Sequence, residues 1–303
     1  MIIEKMSAEL SLPLKYVDFL ALTASHQYKQ YTIPKRTGGE RIILHPSRKL
    51  KALQRWLLSN VIAVWPVHPA AMAYRPGVSI FDNANIHVQS QYLLRMDMTN
   101  FFPSIEVRDL VAFMAKRPTL FQDWTDRDKS YFARLVFRHG KLTVGAPTSP
   151  ALSNALCFEL DSALAGITSA QGVAYSRYAD DLFFSANKKQ VLISIEAEAK
   201  AVLGEIKIPA NLSLNQAKTK HSSKRGARRV TGIVLGSDGK AYVSRDTKRT
   251  IRTLVHQLDT LKDEERIRLA GLISYVSGFE PAFLNNLILK YGADKVSSAK
   301  QHT

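Results

Sequence analysis

Three aspartates have the type and placement to do chemistry. Asp180 and Asp181 are adjacent within SRYADDLFFS (176–185), and Asp97 ends QYLLRMD (91–97). Paired Asp residues are ordinary in turns, where the side chain bonds its own backbone. Successive side chains on an extended strand point opposite ways, so Asp180 and Asp181 can serve one ligand only where the backbone turns. Asp97 stands between Met96 and Met98, and a carboxylate among apolar neighbours resists burial unless a cation compensates it. Hard oxygen donors suit Mg²⁺, which is commonly shared between one or two carboxylates and substrate phosphates. Two such ions about 4 Å apart would activate an attacking hydroxyl and stabilise a leaving pyrophosphate. The chemistry this implies is phosphoryl or nucleotidyl transfer. No His/Cys cluster has zinc-site spacing and no GxxxxGK[ST] loop is present. The single cysteine, Cys157, has no basic neighbour in sequence and reads as a buried core thiol.

The elements that must position these acids follow from periodicity. QYLLRMD reads as a buried strand ending in Asp97, and 173–186 as two β-rich runs whose connecting tip carries Asp180 and Asp181. Helices are expected from about Ile105 to Lys116, Asp126 to Phe137, Pro150 to Ala165 and Gln190 to Leu203. Upstream, runs at 31–34 and 41–44 flank Arg36-Thr37-Gly38-Gly39 as a hairpin. An amphipathic helix then follows Pro46, with Leu50, Leu53, Leu57, Val61 and Val64 on its apolar face. Downstream, Arg229–Leu235 and Lys240–Ser244 are expected to pair across Gly236–Gly239, and the tail from about Asp246 to be nearly all helix.

Charge names the partner class. Lys and Arg outnumber Asp and Glu 42 to 26, a formal net charge of +16 over 303 residues, which favours a polyanion held through phosphates. The cations cluster from Lys218 to Arg252, with only Asp238 and Asp246 against them. A merely soluble basic protein is the plainer alternative, since net charge speaks to association and not to fold. The hydrophobic content of 46% supports a large core. One cysteine excludes an internal disulfide and fits the cytoplasm. The start, MIIEKMSAELSLPLKY, has no leader pattern, and no apolar run reaches the roughly 18 residues of a membrane span.

Four blocks in order and spacing resemble the reverse transcriptases, most closely the bacterial retron type. Tyr178-Ala179-Asp180-Asp181 is similar to the YxDD box, and Asp97-Met98-Thr99-Asn100-Phe101-Phe102 to the first catalytic block. Gly145–Pro150 (GAPTSP) resembles GxPxSP, and Leu214–Thr219 (LNQAKT) resembles NxxKT. Asn83-Ala84-Asn85-Ile86-His87 and Val230-Thr231-Gly232 look like the NAxxH and VTG elements of retron enzymes. Together with a block from Arg41 to Leu57, the likeness covers most of the chain.

The resemblance implies an α+β right-hand polymerase fold. Fingers would span 1–90, a palm of antiparallel sheet and helices 91–240 with an insertion near 117–148, and a helical RNA-binding thumb 241–303. It implies that Asp97, Asp180, Asp181 and the Met98 carbonyl hold two Mg²⁺ ions. Arg41, Phe102, Gly145 and Lys218 would bind the nucleotide, with Phe102 as the steric gate against a 2′-hydroxyl. RNA would be held by Asn83, His87, Arg228, Arg229, Val230, Thr231, Gly232, Arg245, Lys248 and Arg249. A helix cap and a packed imidazole are the plainer readings of Asn83 and His87. Val144 stands where the family commonly has Gln, a departure that bears on the nucleotide pocket and not on the metal site.

The implied partners are dNTPs, a structured non-coding RNA serving as template and 2′-hydroxyl primer, its branched DNA product, and a separate effector protein in phage defence. A chain stopping at Thr303 leaves no room for maturase and endonuclease domains, so a stand-alone enzyme is expected. The alternatives are a diversity-generating or intron-derived reverse transcriptase, and a non-catalytic RNA-binding scaffold.

Overall fold

The computed structural model describes residues 2–34 and 38–301. Their contacts divide the chain into two units, Met1–Val78 with Leu94–His221, and Ser79–Leu93 with Ser222–Thr303.

In the first unit, helices Ile2–Glu9 and Leu14–Leu22 lead into an antiparallel hairpin, β1 (Tyr28–Pro34) and β2 (Glu40–Pro46), registered with Thr32 opposite Ile42. The expected turn lies partly outside the described residues, at 35–37, as does Thr303. Ser47 caps the following helix, Arg48–Asn60, its hydroxyl accepting from the Leu50 N–H at 3.3 Å. Leu50, Leu53, Leu57 and Val61 are buried as their spacing predicts, but Val64 is 75% exposed. The α-helix stops at Asn60 and a 3₁₀ turn, Ile62–Val64, changes the period, so Ile62 is buried instead.

The site is carried by a four-stranded sheet. β3 (Tyr92–Asp97), β4 (Ala174–Tyr178), β5 (Asp181–Ala186) and β6 (Lys220–Ser223) lie in the order β4-β5-β3-β6. Leu182, Phe183 and Phe184 on β5 are all fully buried, so both faces of that strand are covered. Helices Val107–Lys116, Asp126–Val136 and Lys189–Glu205 form close to where apolar periodicity places them. The first is preceded by a short helix, Phe101–Ser104, and a Thr125/Asp128 capping box starts the second. The single helix expected up to Ala165 is instead two, Ser149–Leu156 and Phe158–Ser169, broken at Cys157, where ψ reaches 6°.

In the second unit, helix Ile80–His87 begins in a Ser79/Asp82 capping box. It packs on an antiparallel sheet of β7 (Arg228–Val230), β8 (Ile233–Leu235) and β9 (Ala241–Tyr242). The continuous strand expected over Arg229–Leu235 is folded back on itself. Val230 pairs with Ile233, and the two intervening residues, Thr231 and Gly232, take φ of 48° and 87°, the pattern of a type I′ turn. The tail is helical as expected: Arg245–His256, Asp263–Ser277, Pro281–Tyr291 and Ala293–Lys300. The second compact unit begins its C-terminal segment at Ser222, and residues 79–93 group with that segment, because their helix completes its core.

Candidate active site

The tip of the β4–β5 hairpin is a two-residue loop, since Tyr178 pairs with Asp181 across Ala179 and Asp180. Ala179 takes φ 55°, a left-handed conformation that costs a residue with a Cβ about 1 kcal/mol or more. This turn lets adjacent acids leave the strand alternation, with Asp180 in the loop and Asp181 opening β5. Asp97 reaches the same place through backbone stitching. The Met98 N–H donates to the Asp180 carbonyl at 2.8 Å, and the Asp97 carbonyl accepts from Asn215 N–H at 2.7 Å. Thr99 N–H donates to Ser213 at 2.8 Å, so the end of β3 is held between the acid-bearing turn and 213–215.

Each buried carboxylate has a basic neighbour. Lys218, in the 3₁₀ turn Gln216–Lys218, donates to both oxygens of Asp97 at 2.9 and 3.0 Å, and Asp97 is 4% exposed. Arg95, two residues before Asp97 on β3, forks onto Asp181 at 2.8 to 3.1 Å. Burial pushes the Asp181 carboxyl up to about 6 against the opposing pull of Arg95. Asp180 is also raised, by burial and then by the charge of Asp97, with Lys218 and Arg41 pulling the other way. The three acids therefore feel one another's charge.

Among the described residues, no group of three or more His, Cys, Asp or Glu side chains could hold a metal ion by itself. The donor set nevertheless fits a hard divalent cation. All three donors are carboxylates, two are raised by being charged and buried together, and Mg²⁺ ordinarily draws its remaining ligands from water and substrate phosphates.

Around the acids, Phe102 is half-buried, its ring centroid 6.3 Å from Tyr74 and 5.3 Å from Phe101. Arg41 is exposed on β2. Gly145 has a packing reason to be glycine. Its φ is +121°, and an added Cβ would sit 2.7 Å from the Leu44 carbonyl oxygen. Val144 C=O accepts from Leu44 N–H at 2.8 Å, so the GAPTSP loop is fastened to the strand that carries Arg41. Sequence reasoning missed Arg177 and Asp161, a fully buried ion pair at 2.6 Å behind the hairpin tip. The only trace in the sequence is that each is a charged residue among apolar neighbours at strand or helix spacing.

The residues assigned to RNA contact lie in the second unit and separate into two groups. Asn83, His87, Arg228 and Val230 are 0% exposed, which removes their side chains from direct RNA contact. Burial holds the His87 imidazole down at about 3. Arg228 donates to the carbonyls of Ser90 and Gly236, so it ties its sheet to 88–90. Thr231 and Gly232 form the β7–β8 turn. Arg229, Arg245 and Arg249 are exposed, whereas Lys248 is half-buried and bonded to Glu280 at 2.5 Å. The basic stripe is thus part surface and part scaffold.

Residues 33–258 match the family model described as "Reverse transcriptase (RNA-dependent DNA polymerase)". The chain is 35% identical to the Retron Ec83 reverse transcriptase of Escherichia coli, over 97% of both chains. It is 34% identical to the Retron Mx65 reverse transcriptase of Myxococcus xanthus, over 84% of this chain and 62% of that one. In structure it resembles a foamy viral protease-reverse transcriptase in complex with double-stranded DNA. The TM-score is 0.51 and the identity 16%, over 90% of this chain and 44% of that one. Apo telomerase from Candida tropicalis gives 0.52 and 13%, over 90% and 57%. The chain spans about half the length of these solved structures, and at such identities the likeness shows the right-hand polymerase fold alone. Family model, sequence relatives and fold agree: the chain belongs to the reverse transcriptases, RNA-dependent DNA polymerases, of the retron type.

Proposed function

We propose that this chain copies part of a dedicated structured RNA into DNA at the site built on Asp97, Asp180 and Asp181. The backbone bond from Met98 to Asp180 supports the reading most directly, because it holds acids from two distant segments at one sheet end. Those three carboxylates and the Met98 carbonyl would hold two Mg²⁺ ions, which when bound supply Lewis-acid stabilisation of charge on the reacting phosphate. Arg41 and Lys218 place positive charge beside the acids and would bind the triphosphate. Phe102 would lie under the deoxyribose and exclude a 2′-hydroxyl. A primer hydroxyl attacks the α-phosphate of the dNTP and pyrophosphate leaves.

Fingers would comprise the N-terminal helices and the β1–β2 hairpin, the palm the four-stranded sheet, and the thumb the helices from Arg245. Arg229, Arg245 and Arg249 would contact RNA phosphates. The relatives are named as retron reverse transcriptases, which supports priming from an internal RNA 2′-hydroxyl. The product would be branched RNA-linked DNA made in the cytoplasm, and its role phage defence with a separate effector protein. No helix among the described residues is long and apolar enough to cross a membrane.

Asp180→Asn should abolish Mg²⁺-dependent dNTP incorporation while RNA binding persists in a filter or mobility assay. Undiminished synthesis would refute the metal assignment. Product joined to RNA through a 2′,5′ linkage, resistant to RNase and cut by a debranching nuclease, supports the priming mode. Product primed only from 3′ ends would sink it.

A further inference from the structure

Two residues with side chains adopt positive φ on either side of one buried side chain. Ala179 (φ 55°) precedes Asp180, and Tyr74 (φ 60°) lies against Phe102. Between them is Arg177, 0% exposed. Its Nε and Nη2 fork onto Asp161 at 2.8 and 2.6 Å, while Nη1 donates to Asn154 Oδ1 at 3.2 Å and to the Ala179 carbonyl at 3.3 Å. The Asn154 amide donates in turn to the Ala73 carbonyl at 2.8 Å. The Arg177 backbone is joined to the same segment, its N–H donating to Ala70 at 2.8 Å and its carbonyl accepting from Met72 at 2.7 Å. Tyr175 closes the group by donating to Asp161 at 2.8 Å.

One guanidinium thus bonds the residue before Asp180 and, through Asn154, the residue before Tyr74. A simple core ion pair would need only Asp161. A planar fork with several fixed N–H directions suits a junction that sets two backbones at once, which a lysine ammonium cannot reproduce. We propose that Arg177, held by Asp161 and acting through Asn154, is a positioning residue that fixes the Ala179–Asp180 turn and the Ala70–Tyr74 segment in one register. It thereby sets both metal affinity at the acids and discrimination against a 2′-hydroxyl at Phe102. This inference rests on the proposed roles of Asp180 and Phe102.

Arg177→Lys keeps a charge on Asp161 but loses the fork. With folding verified by circular dichroism and thermal unfolding, Mn²⁺ affinity should fall at least tenfold in an electron paramagnetic resonance titration of nucleotide-free protein. In primer extension kcat should fall more than the KM for dNTP, and the ratio of rNTP to dNTP incorporation should rise. Asn154→Ala leaves the ion pair whole and should raise the same ratio, with a lower melting point because the buried Ala73 carbonyl loses its donor. If Arg177→Lys does not fold, Arg177→Met with Asp161→Leu replaces the buried pair by apolar volume, a change that is often neutral for stability; the same losses are expected. A folded Arg177 variant with wild-type Mn²⁺ titration and ribose discrimination overturns the proposal, as does an Asn154→Ala variant with an unchanged ratio. Asp180→Asn separates the two layers. If it remains active, the site reading has failed. If it is inactive while Arg177→Lys behaves as wild type, only the junction has.

Discussion

Gly145→Ala tests whether the GAPTSP loop is fastened to β2 as the structure shows. The new methyl would meet the Leu44 carbonyl oxygen at 2.7 Å and Ile43 Cγ2 at 3.2 Å, at a φ of +121° that L-residues rarely adopt. Neither obstacle is a flexible side-chain end, so the loop must retreat and lengthen the 2.8 Å bond from Leu44 N–H to Val144. Overpacking of this kind costs about 1–3 kcal/mol, and a weakened backbone hydrogen bond adds about 1 kcal/mol. A loss of about 3 kcal/mol lowers the unfolding midpoint of a unit of this size by about 6–12 °C. Thermal unfolding by circular dichroism reads the stability, and hydrogen exchange at the Leu44 amide, expected to accelerate, reads its location. Because β2 also carries Arg41, the KM for dNTP should rise. A variant that melts within about 1 °C of the parent and keeps Leu44 protected would refute the reasoning.

Arg228→Ala and Arg229→Ala should part company. The first leaves the partly buried carbonyls of Ser90 and Gly236 without this donor, at about 1 kcal/mol each, and should lower the melting point. The second should melt normally and reduce the salt slope of RNA binding by about 1; an unchanged slope would make Arg229 a bystander. Phe102→Ala should raise rNTP incorporation relative to dNTP, and an unaltered ratio in single-turnover extension would remove its gating role. Burial lowers His87 from its ordinary value of 6.5 to about 3, so below pH 6.5 the unfolded chain binds a proton that the folded chain refuses. Stability is therefore lost as pH falls, by up to about 1.4 kcal/mol per unit. His87→Leu should flatten the urea midpoint between pH 6.5 and 5, and equal slopes in both proteins would contradict this.

The acids and their elements were legible because each strand ends where its chemistry begins: Asp97 closes an apolar run, and Asp180 and Asp181 interrupt another. What pattern cannot show is which cation faces which carboxylate. Lys218 and Arg95 meet their acids through sheet order, a long-range property, and Arg95 sits in QYLLRMD without any local sign of its role. Charge clustering misplaced Arg228 for a related reason. A guanidinium whose two terminal nitrogens donate to carbonyls can be buried without a carboxylate, and composition counts it with its exposed neighbour Arg229. The Thr231-Gly232 turn was hidden because a type I′ loop is usually announced by Asn or Asp before the Gly, and Thr231 reads as a strand former.

The C-terminal unit borrows residues 79–93 from far upstream. During synthesis the helix Ile80–His87 is made long before β7 and β8 exist to cover Phe81, Ala84 and His87. At about 5–20 residues per second that wait lasts from several seconds to a few tens of seconds. Recombination between relatives meets the same discontinuity. A chimaera that exchanges everything after Ser222 would join one parent's helix to the other's sheet, so a working graft must carry the upstream fifteen-residue piece with it.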